Sequence, residues 1–590
     1  MASKAPSADR PAERKLANLP PIIRKLLAAR GYQTASARRA FLQPDYRATD
    51  YDPFLLPGMK QVVKRLEQAR AKQQKVTIYC DYDVDGTASA AILLDALPRF
   101  GLTVDYYVPD RFKEGYGLNK EAIKHLHDTG TDLVLTVDNG IVSFDEVDYA
   151  NQLGLDMIIT DHHSPRDTLP RAVAVVDPKV TWRDQPEIYD ERFCLRDRRR
   201  RRRRLYPFLD LCGAGVAFKL VEALGQTFPD DLPTGQEKWL LDLVAIATVS
   251  DIVTLADENR ALVYWGLKVL QKTRRPGIKA LVAVAGLDLT EVDSQAIGYM
   301  LGPRLNVAGR LANARLAIEL LTATDNERAL QLATELDKLN RQRKAIQQTI
   351  CTQALEQVET DQPVAIAVGD GWHEGVIGIV ASKVEEAVLK PTFIFSRHDE
   401  LAKASGRSFG QFSIATAIEA TSSLLIKGGG HAAAGGVTIR ASQLDQWCQA
   451  VNQHYRSLGL GDQQKYFYPP PDLILDDFSE LTPDLVEALA MLEPYGQGNP
   501  VPTFLLRHVT VVERRLMGSE RQHVKYTFTD AQGRCLRAIA FDGAGKFDLM
   551  PGDETEPVYA NALVELSLNE WRGNVSVEGK LIRLTREDID

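Results

Sequence analysis

Long hydrophobic runs are missing from this sequence. No segment approaches the roughly 18 apolar residues that a membrane helix requires, which excludes helical membrane spans. The opening residues, MASKAPSADRPAERKLANLP, carry basic side chains but no apolar core, so they do not read as a signal peptide. Cysteine is scarce and scattered: six residues (Cys80, Cys194, Cys212, Cys351, Cys448, Cys535) stand singly, with no C-x-x-C pair. That excludes a zinc ribbon or a disulfide framework and fits a reducing compartment. A cytoplasmic protein is the expectation. An excess of positive charge is also absent, since 71 Lys and Arg against 79 Asp and Glu leave a net charge of −8. Affinity for a polyanion must therefore come from local patches, such as the basic N-terminal stretch, rather than from the field of the whole chain.

What the sequence has is length. With 590 residues, 44% hydrophobic and 25% charged, it has an ordinary globular composition but too much chain for one core. Three or four domains are expected. After a helix at about 57–73, short apolar strands alternate with helices. The strands are Val76–Cys80, LTVDYYVPD, DLVLTVDNG and LDMIIT, and the helices between them are SAAILLDALPRF, EAIKHLHDTG and FDEVDYANQLG. This alternation is the signature of a parallel, doubly wound α/β sheet.

The pattern breaks at 182–205, where seven consecutive arginines, Arg198 to Arg204, cannot pack in a core. The segment reads as a solvated loop, or as an electrostatic arm for DNA phosphate or an acidic partner. Helices resume and end at Ser250-Asp251. A helical region then closes in an amphipathic connector, about 326–358, with Leu332, Leu336, Leu339, Ile346 and Ile350 on one stripe. A second α/β unit follows (PVAIAVGD, GVIGIVASKVEEAV, PTFIFS), punctuated by GGGHAAAGG. After a linker at Tyr466–Pro471, five or so short strands suggest a small OB-like barrel. The domain plan is 1–50, tail and short helices; 51–256, first α/β domain with the insertion 182–205; 257–358, helical region and connector; 359–460, second α/β domain; and 472–590, OB-like domain.

The stretch that carries chemistry is VTIYCDYDVDGTAS, residues 76–89. Asp81, Asp83 and Asp85 follow a buried strand at alternate positions. If the turn stays extended they share one side, and Gly86 lets the backbone bend close to whatever they hold. Unpaired, such acids repel one another and raise each other's pKa; a divalent cation removes that penalty. Further candidates are Asp138 in TVDNG, Asp161-His162-His163 after MIIT, and Asp251 in ATVSDIV. Singly, each has a plain structural reading: caps and turns for the aspartates, an N-cap for Asp251, surface hydrogen bonding for adjacent histidines. Jointly they mean more, because Asp81, Asp138 and Asp161 all follow strand ends, where doubly wound sheets bind ligands. Mixed carboxylate and imidazole donors suit Mn²⁺ or Mg²⁺, and zinc–thiolate chemistry is excluded.

The set DYDVDG, TVDNG, TDHH and SDIV resembles the four motifs of the DHH phosphoesterase superfamily. GWHEGVIGIVASK (371–383), SGRS (405–408), GGGHAAAGG (428–436), RLNVAGRL (304–311) and LEPYGQGNPVPTF (492–504) are similar to those of its RecJ family, bacterial single-strand-specific 5′→3′ DNA exonucleases. The resemblance runs from about residue 21 to 585. It implies a DHH parallel-sheet domain, a helical connector, a DHH-associated α/β domain and an OB-type nucleic-acid-binding barrel. It also implies two divalent ions, Mn²⁺ or Mg²⁺, per active site. One would be held by Asp81, Asp83 and Asp138, the other by Asp85, Asp138, His162 and Asp251, with Asp138 bridging. Asp161 and His163 would orient His162 or touch the scissile phosphate.

The same resemblance implies that Ser405, Arg407 and Arg304 or Arg310 bind the 5′-terminal and neighbouring phosphates. Gly429 and Gly430 would offer backbone N–H groups to a phosphate, and His431 a further donor. The alternatives are a salt bridge between lobes for Arg310 and a flexible loop for the glycines. Tyr526, Phe528 and Trp571 read equally as base-stacking residues or as barrel core. The implied activity is two-metal hydrolysis of single-stranded DNA to 5′ mononucleotides in recombination and repair, with a single-strand-binding protein and a helicase as partners. Two other functions compete: a phosphoesterase for short oligonucleotides or cyclic dinucleotides, and a non-catalytic DNA-binding scaffold. The barrel and connector argue against the first, and the complete set of acids against the second.

Overall fold

The computed structural model describes residues 19–46, 51–115, 117–180, 206–461, 463, 470–551, 557–571 and 573–586. The arginine run Arg198–Arg204, the rest of the insertion 182–205 and residues 466–469 of the expected linker lie outside these. The chain forms two compact units, one of residues 51–253 and 265–468, the other of 1–50, 254–264 and 469–590. Among the described residues no helix is long and apolar enough to cross a membrane.

The larger unit begins with the expected parallel sheet. Its strands are β1 (Lys75–Cys80), β2 (Thr103–Tyr107), β3 (Leu133–Val137), β4 (Asp156–Thr160) and β5 (Ala174–Val176), in the order β2-β1-β3-β4-β5. Every residue of β3 is buried, as befits a strand covered by helices on both faces. Cys80 pairs with Val137, and Val137 with Thr160. The next residues, Asp81, Asp138 and Asp161, therefore leave the sheet side by side at its carboxyl edge. The chain runs outward to β2 and returns past β1 to β3, so the strand order reverses where Asp81 and Asp138 emerge.

The acidic turn does not stay extended. A helix starts at Val84 and runs to Ala96, five residues earlier than the sequence reading at Ser89. Asp83 is its N-cap: the carboxylate accepts the N–H groups of Asp85 (2.9 Å) and Gly86 (3.2 Å). Gly86 is required because a Cβ there would lie 2.5 Å from the Asp81 carbonyl oxygen. The cap rotates Asp85 away from Asp81 and Asp83, so the three acids do not share one side.

The connector is a helix from Asn326 to Gln357, capped by Asp325 and burying Leu332, Leu336 and Ile350. It packs on helices Pro276–Val284 and Glu374–Val388, joining the first sheet's domain to a second sheet. That second sheet runs β6-β7-β8-β10-β9, with β6 Ala365–Asp370, β7 Thr392–His398, β8 Leu401–Arg407, β9 Lys427–Gly430 and β10 Ala434–Arg440. Its core centres on Trp447, edge-on to Phe393 and Phe395.

The smaller unit is built on β11 (Leu473–Leu475), β12 (Thr503–Met517), β13 (His523–Thr529), β14 (Cys535–Ala540), β15 (Tyr559–Trp571) and β16 (Asn574–Arg586), in the order β11-β12-β13-β14-β16-β15. A further β12–β15 pairing brings the last strand of that order back onto β12. Tyr526 and Phe528 are fully buried, which makes them core rather than base-stacking residues. Trp571 ends β15, and its side chain lies outside the described set. Helices Pro21–Ala29 and Ala35–Leu42 contribute Ile22, Ile23, Leu26, Leu27, Phe41 and Leu42 to the same core.

Arg260 anchors this unit from 254–264. Its buried guanidinium donates to the carbonyls of Phe41 (2.9 Å), Leu492 (3.0 Å), Glu493 (2.8 Å) and Pro494 (3.2 Å), and lies 3.7 Å over the Phe41 ring. Replacing it leaves those carbonyls dry and unpaired. Arg260→Met is expected to lose about 3 kcal/mol of stability; urea unfolding of the full chain measures this, and a loss below about 1 kcal/mol would refute the anchoring role.

Candidate metal centre

Three strand ends and one helix end deliver the acids. Asp81 and Asp138 stand at adjacent strand ends, and Asp138 holds a left-handed conformation (φ 62°) uncommon for a non-glycine residue. Its N–H donates to the Thr160 carbonyl (3.1 Å), tying it to β4. Asp251 follows the helix Leu241–Ser250 and closes its carboxyl end, with its N–H on the Ala247 carbonyl (2.8 Å). The N-cap reading for Asp251 is therefore wrong: the residue ends a helix.

The donors fall into groups whose ligand atoms all lie within 4.8 Å of one another: Asp81, Asp83 and Asp138; Asp85, His162 and Asp251; and Asp138, His162 and His163. His162 Nε2 lies 3.1 Å from Asp138, 3.6 Å from Asp85 and 3.7 Å from Asp251. Asp138 thus belongs to both the Asp81 side and the His162 side.

Elsewhere a cluster this acidic would be balanced by lysines or arginines. Here Asp81, Asp85 and Asp138 are buried, and Asp81 Oδ1 and His162 Nε2 have no hydrogen-bond partner. Burial and the neighbouring carboxylates push Asp81 and Asp138 well above the usual carboxylate range, and Asp251 up to about 9. Burial pushes Asp85 up and keeps His162 low, as a neutral donor. Lone pairs buried, unpaired and converging in this way fit divalent cations.

Asp161 behaves differently. Its carboxylate accepts the N–H groups of Ile141 (2.9 Å), His162 (2.7 Å) and His163 (3.1 Å) and the His163 ring nitrogen Nδ1 (2.7 Å). Although burial opposes it, the His163 ring and these amides hold Asp161 below the usual range. Likewise, burial would lower His163, but the Asp161 bond carries it to about 9. Asp161 therefore orients the histidine pair, and His163 is a partly exposed cation beside the acids.

Several contributors went unnoticed in the sequence. Both Asp85 oxygens accept N–H groups at the start of helix Gly213–Thr227, Gly213 at 2.6 Å and Ala214 at 2.8 Å. A Cβ on Gly213 would come within 2.7 Å of the Asp138 Cβ. The Gly-Ala-Gly at 213–215 was the available signal, since such a helix start suits a close-approaching anion. Asn306 accepts the Val84 N–H (3.1 Å), and Gly309 lies against the Tyr82 carbonyl. Lys179 donates to the His162 carbonyl. No motif marked Arg111, which lies 5.0 Å from the Tyr82 ring and whose charge acts on Asp81 and Arg310.

The phosphate-binding candidates separate. Arg310 is brought to the centre: half-buried near Asp83 and Arg111, it donates to the Gly375 carbonyl (3.3 Å) across the lobes. Burial and Arg111 lower its pKa to about 10, and no carboxylate pairs with it among the described residues, so the salt-bridge reading fails. Arg407 donates to Ser382 (3.0 Å) and Ser405 (3.0 Å), again without a carboxylate bond, and Ser382 joins the group unforeseen. Arg304 is not free, being paired with Asp337 on the connector (3.0 Å). The glycines form no open turn. Gly429 and Gly430 lie in the exposed edge strand β9, and the His431 N–H donates to the Ala434 carbonyl (2.8 Å). The register runs Gly429 to Gly436 to Ser405, putting the glycines two strands from Ser405.

Carboxyls raised in the fold destabilise it once pH exceeds their unfolded value near 4, because the unfolded chain ionises freely and the native cluster does not. Metal-free protein should therefore lose stability as pH rises from about 4 toward 9. Cation binding, which displaces those protons, should restore it. Calorimetry should give a larger Mn²⁺-induced rise in Tm at about pH 8.5 than at about pH 5.5; an equal or inverted effect would count against a cluster of raised carboxyls.

Comparison with known proteins bears on this centre. The DHH family, N-terminal domain, matches residues 75–248, the DHHA1 domain matches 361–457, and the RecJ OB domain matches 472–582. The single-stranded-DNA-specific exonuclease RecJ of Escherichia coli is 33% identical, covering 97% of this chain and 96% of that protein. The Bacillus subtilis protein of the same name is 35% identical over 94% of this chain and 66% of its own length. The crystal structure of RecJ in complex with Mn²⁺ from Thermus thermophilus superposes with a TM-score of 0.75 at 27% identity, covering 97% of this chain and 79% of that one. The same protein with Mg²⁺ gives 0.69 at 25% identity, covering 97% and 78%. With its acid and histidine motifs converging on one sheet edge and all three domain types present, the chain belongs to the RecJ family of DHH proteins.

Proposed function

We propose that this protein is a metal-dependent exonuclease that hydrolyses single-stranded DNA from its 5′ end to mononucleotides. The observation that carries this is the place of Asp138, which groups with Asp81 and Asp83 and lies 3.1 Å from Nε2 of His162, the imidazole of the Asp85, His162 and Asp251 group. A two-ion site suits in-line displacement at a phosphodiester. Asp81, Asp83 and Asp138 would hold one ion, and Asp85, Asp138, His162 and Asp251 the other; Mn²⁺ and Mg²⁺ both suit the donors. When bound, such ions lower the pKa of a water and stabilise charge on the attacking and leaving oxygens.

The chain's own residues do the rest. Two N–H groups at a helix start hold Asp85 in place, and Asp161 fixes the histidine pair. The His163 cation would offset the negative charge of a bound phosphate. Arg310 and Arg111, with Ser405 and Arg407 in the second lobe, are the donors for the 5′-terminal and neighbouring phosphates, since guanidinium matches phosphate bidentately. The glycine strand β9, two strands from Ser405, and His431 would line the route of the chain. The OB domain supplies the grip on single-stranded DNA that sets this substrate apart from a small ester. A helicase to expose such strands and a single-strand-binding protein to present them are the partners this activity calls for, in the cytoplasm.

With Mn²⁺ and a 5′-radiolabelled single-stranded oligonucleotide, mononucleotides should appear stepwise, while a blunt duplex should resist. Asp138→Ala removes a donor from both groups and should reduce release to background with the fold intact by circular dichroism. Near-normal rates in that variant would overturn the shared-ligand assignment. Release of dinucleotides alone would replace the substrate assignment.

A further inference from the structure

On the Asp251 side of the centre, the chain does two unusual things next to each other. Residues Ile297–Leu301 form a π-helix, a rare element concentrated at functional sites. It is seated on the end of the helix that leads into Asp251: a Cβ on Gly298 would stand 3.7 Å from Val249 Cγ1, and one on Gly302 2.7 Å from Ser250 Oγ. The widened turn projects Tyr299, which is 79% exposed. Ile252, immediately after Asp251, takes a left-handed conformation (φ 59°) that a β-branched residue adopts only under constraint, and it is 70% exposed. A π-turn and a strained isoleucine are both costly, and folding gains nothing from two apolar side chains held in water.

The charges give this side its meaning. Arg111 and Arg310 stand by Asp83, at the other end of the acid cluster, where a terminal phosphate finds its cations. The segment 297–310 runs between the two ends: Gly302 rests on Ser250, Asn306 on the Val84 N–H, and Gly309 on Tyr82. A strand held by phosphate at the Arg310 end and cleaved over the acids continues past Asp251. There, among the described residues, Arg304 is tied to Asp337 and the Met300 carbonyl, and the exposed phenol of Tyr299 and alkyl chain of Ile252 face solvent.

We infer that Tyr299 is a stacking platform for a nucleobase on the 3′ side of the scissile phosphate. It is a positioning residue that keeps the continuing strand in line while the 5′ nucleotide is removed. An aromatic face stacks any base, so the platform is indifferent to sequence, as stepwise digestion requires. The inference rests on the exonuclease reading above and adds to it the direction in which the strand leaves the metal centre.

The test uses the full chain with Mn²⁺ and 5′-phosphorylated single strands in which one nucleotide, at each of the second to fifth positions in turn, is abasic. Wild-type kcat/KM should fall about tenfold at one of these positions. Tyr299→Ala should show a similar fall on the intact strand, carried mainly by KM, and should no longer respond to the abasic residue there. Tyr299→Phe, which keeps the ring, should regain the response. Because the side chain is exposed, unchanged Tm is expected in both variants. The platform is overturned if Tyr299→Ala keeps the wild-type response at every position. If the wild type releases no nucleotide at all, the exonuclease reading fails instead; fluorescence anisotropy with the same strands then decides the stacking, since loss of the abasic response in Tyr299→Ala binding supports it and retention refutes it.

Discussion

Mutual repulsion among buried carboxylates is the constraint around which the larger unit is arranged. Asp81, Asp85, Asp138 and Asp251 are drawn together with an imidazole among them, and the nearby cations, His163, Arg111 and Lys179, do not offset their burial and mutual repulsion. Such a group is unfavourable in the metal-free fold, and the energy is stored for the ion that relieves it. Neighbouring features keep the acids from dispersing. The start of helix Gly213–Thr227 grips Asp85, the β4 carbonyl of Thr160 fixes the left-handed Asp138, and the Gly86, Gly213 and Gly309 positions have no room for a Cβ.

Charge is segregated rather than balanced. Arg310, Arg111 and Arg407 have no carboxylate bonds among the described residues, although carboxylates are plentiful nearby. A half-buried guanidinium near another guanidinium is unfavourable too, and under the proposed function a phosphate would relieve it as a divalent ion would relieve the acids. A nucleotide chain bound through metal-facing and arginine-facing phosphates satisfies both at once. On the proposed function, a chain with net charge −8 would bind phosphate through this local cationic patch rather than through its overall field.

The first sheet, its strand ends and the aspartates that follow them were legible from alternating strand and helix patterns, because periodicity and a strand-terminal acid are local signals. The connector was legible for the same reason, through its apolar stripe. The reading went astray where a side chain's partner lies far away in sequence or where a carboxylate turned back on its own backbone. Asp83 caps a helix earlier than expected because its own carboxylate captures two N–H groups. Asp251 closes a helix instead of opening one. Arg304 is spent on Asp337, and the glycine cluster is a paired edge strand because β10 lies within reach of it. Tyr526 and Phe528, which the sequence left open between base stacking and core, lie in a core to which the β12–β15 pairing contributes, and no local pattern announces that pairing.

The amino-acid sequence by itself determined which groups this protein has for chemistry: the acids and histidines, their placement at strand ends, and the domains that accompany them. Those are properties of residue type and spacing. Tertiary structure alone decided how the groups are shared out. A helix cap turned Asp85 from Asp81 and Asp83, a left-handed Asp138 came to stand between two sets of donors, Asp161 took His163, and Arg111 came to face Arg310. Two of these, the hold of Thr160 on Asp138 and the approach of Arg111 to Arg310, depend on contacts across tens or hundreds of residues, and the other two depend on which way a carboxylate turns within the folded edge.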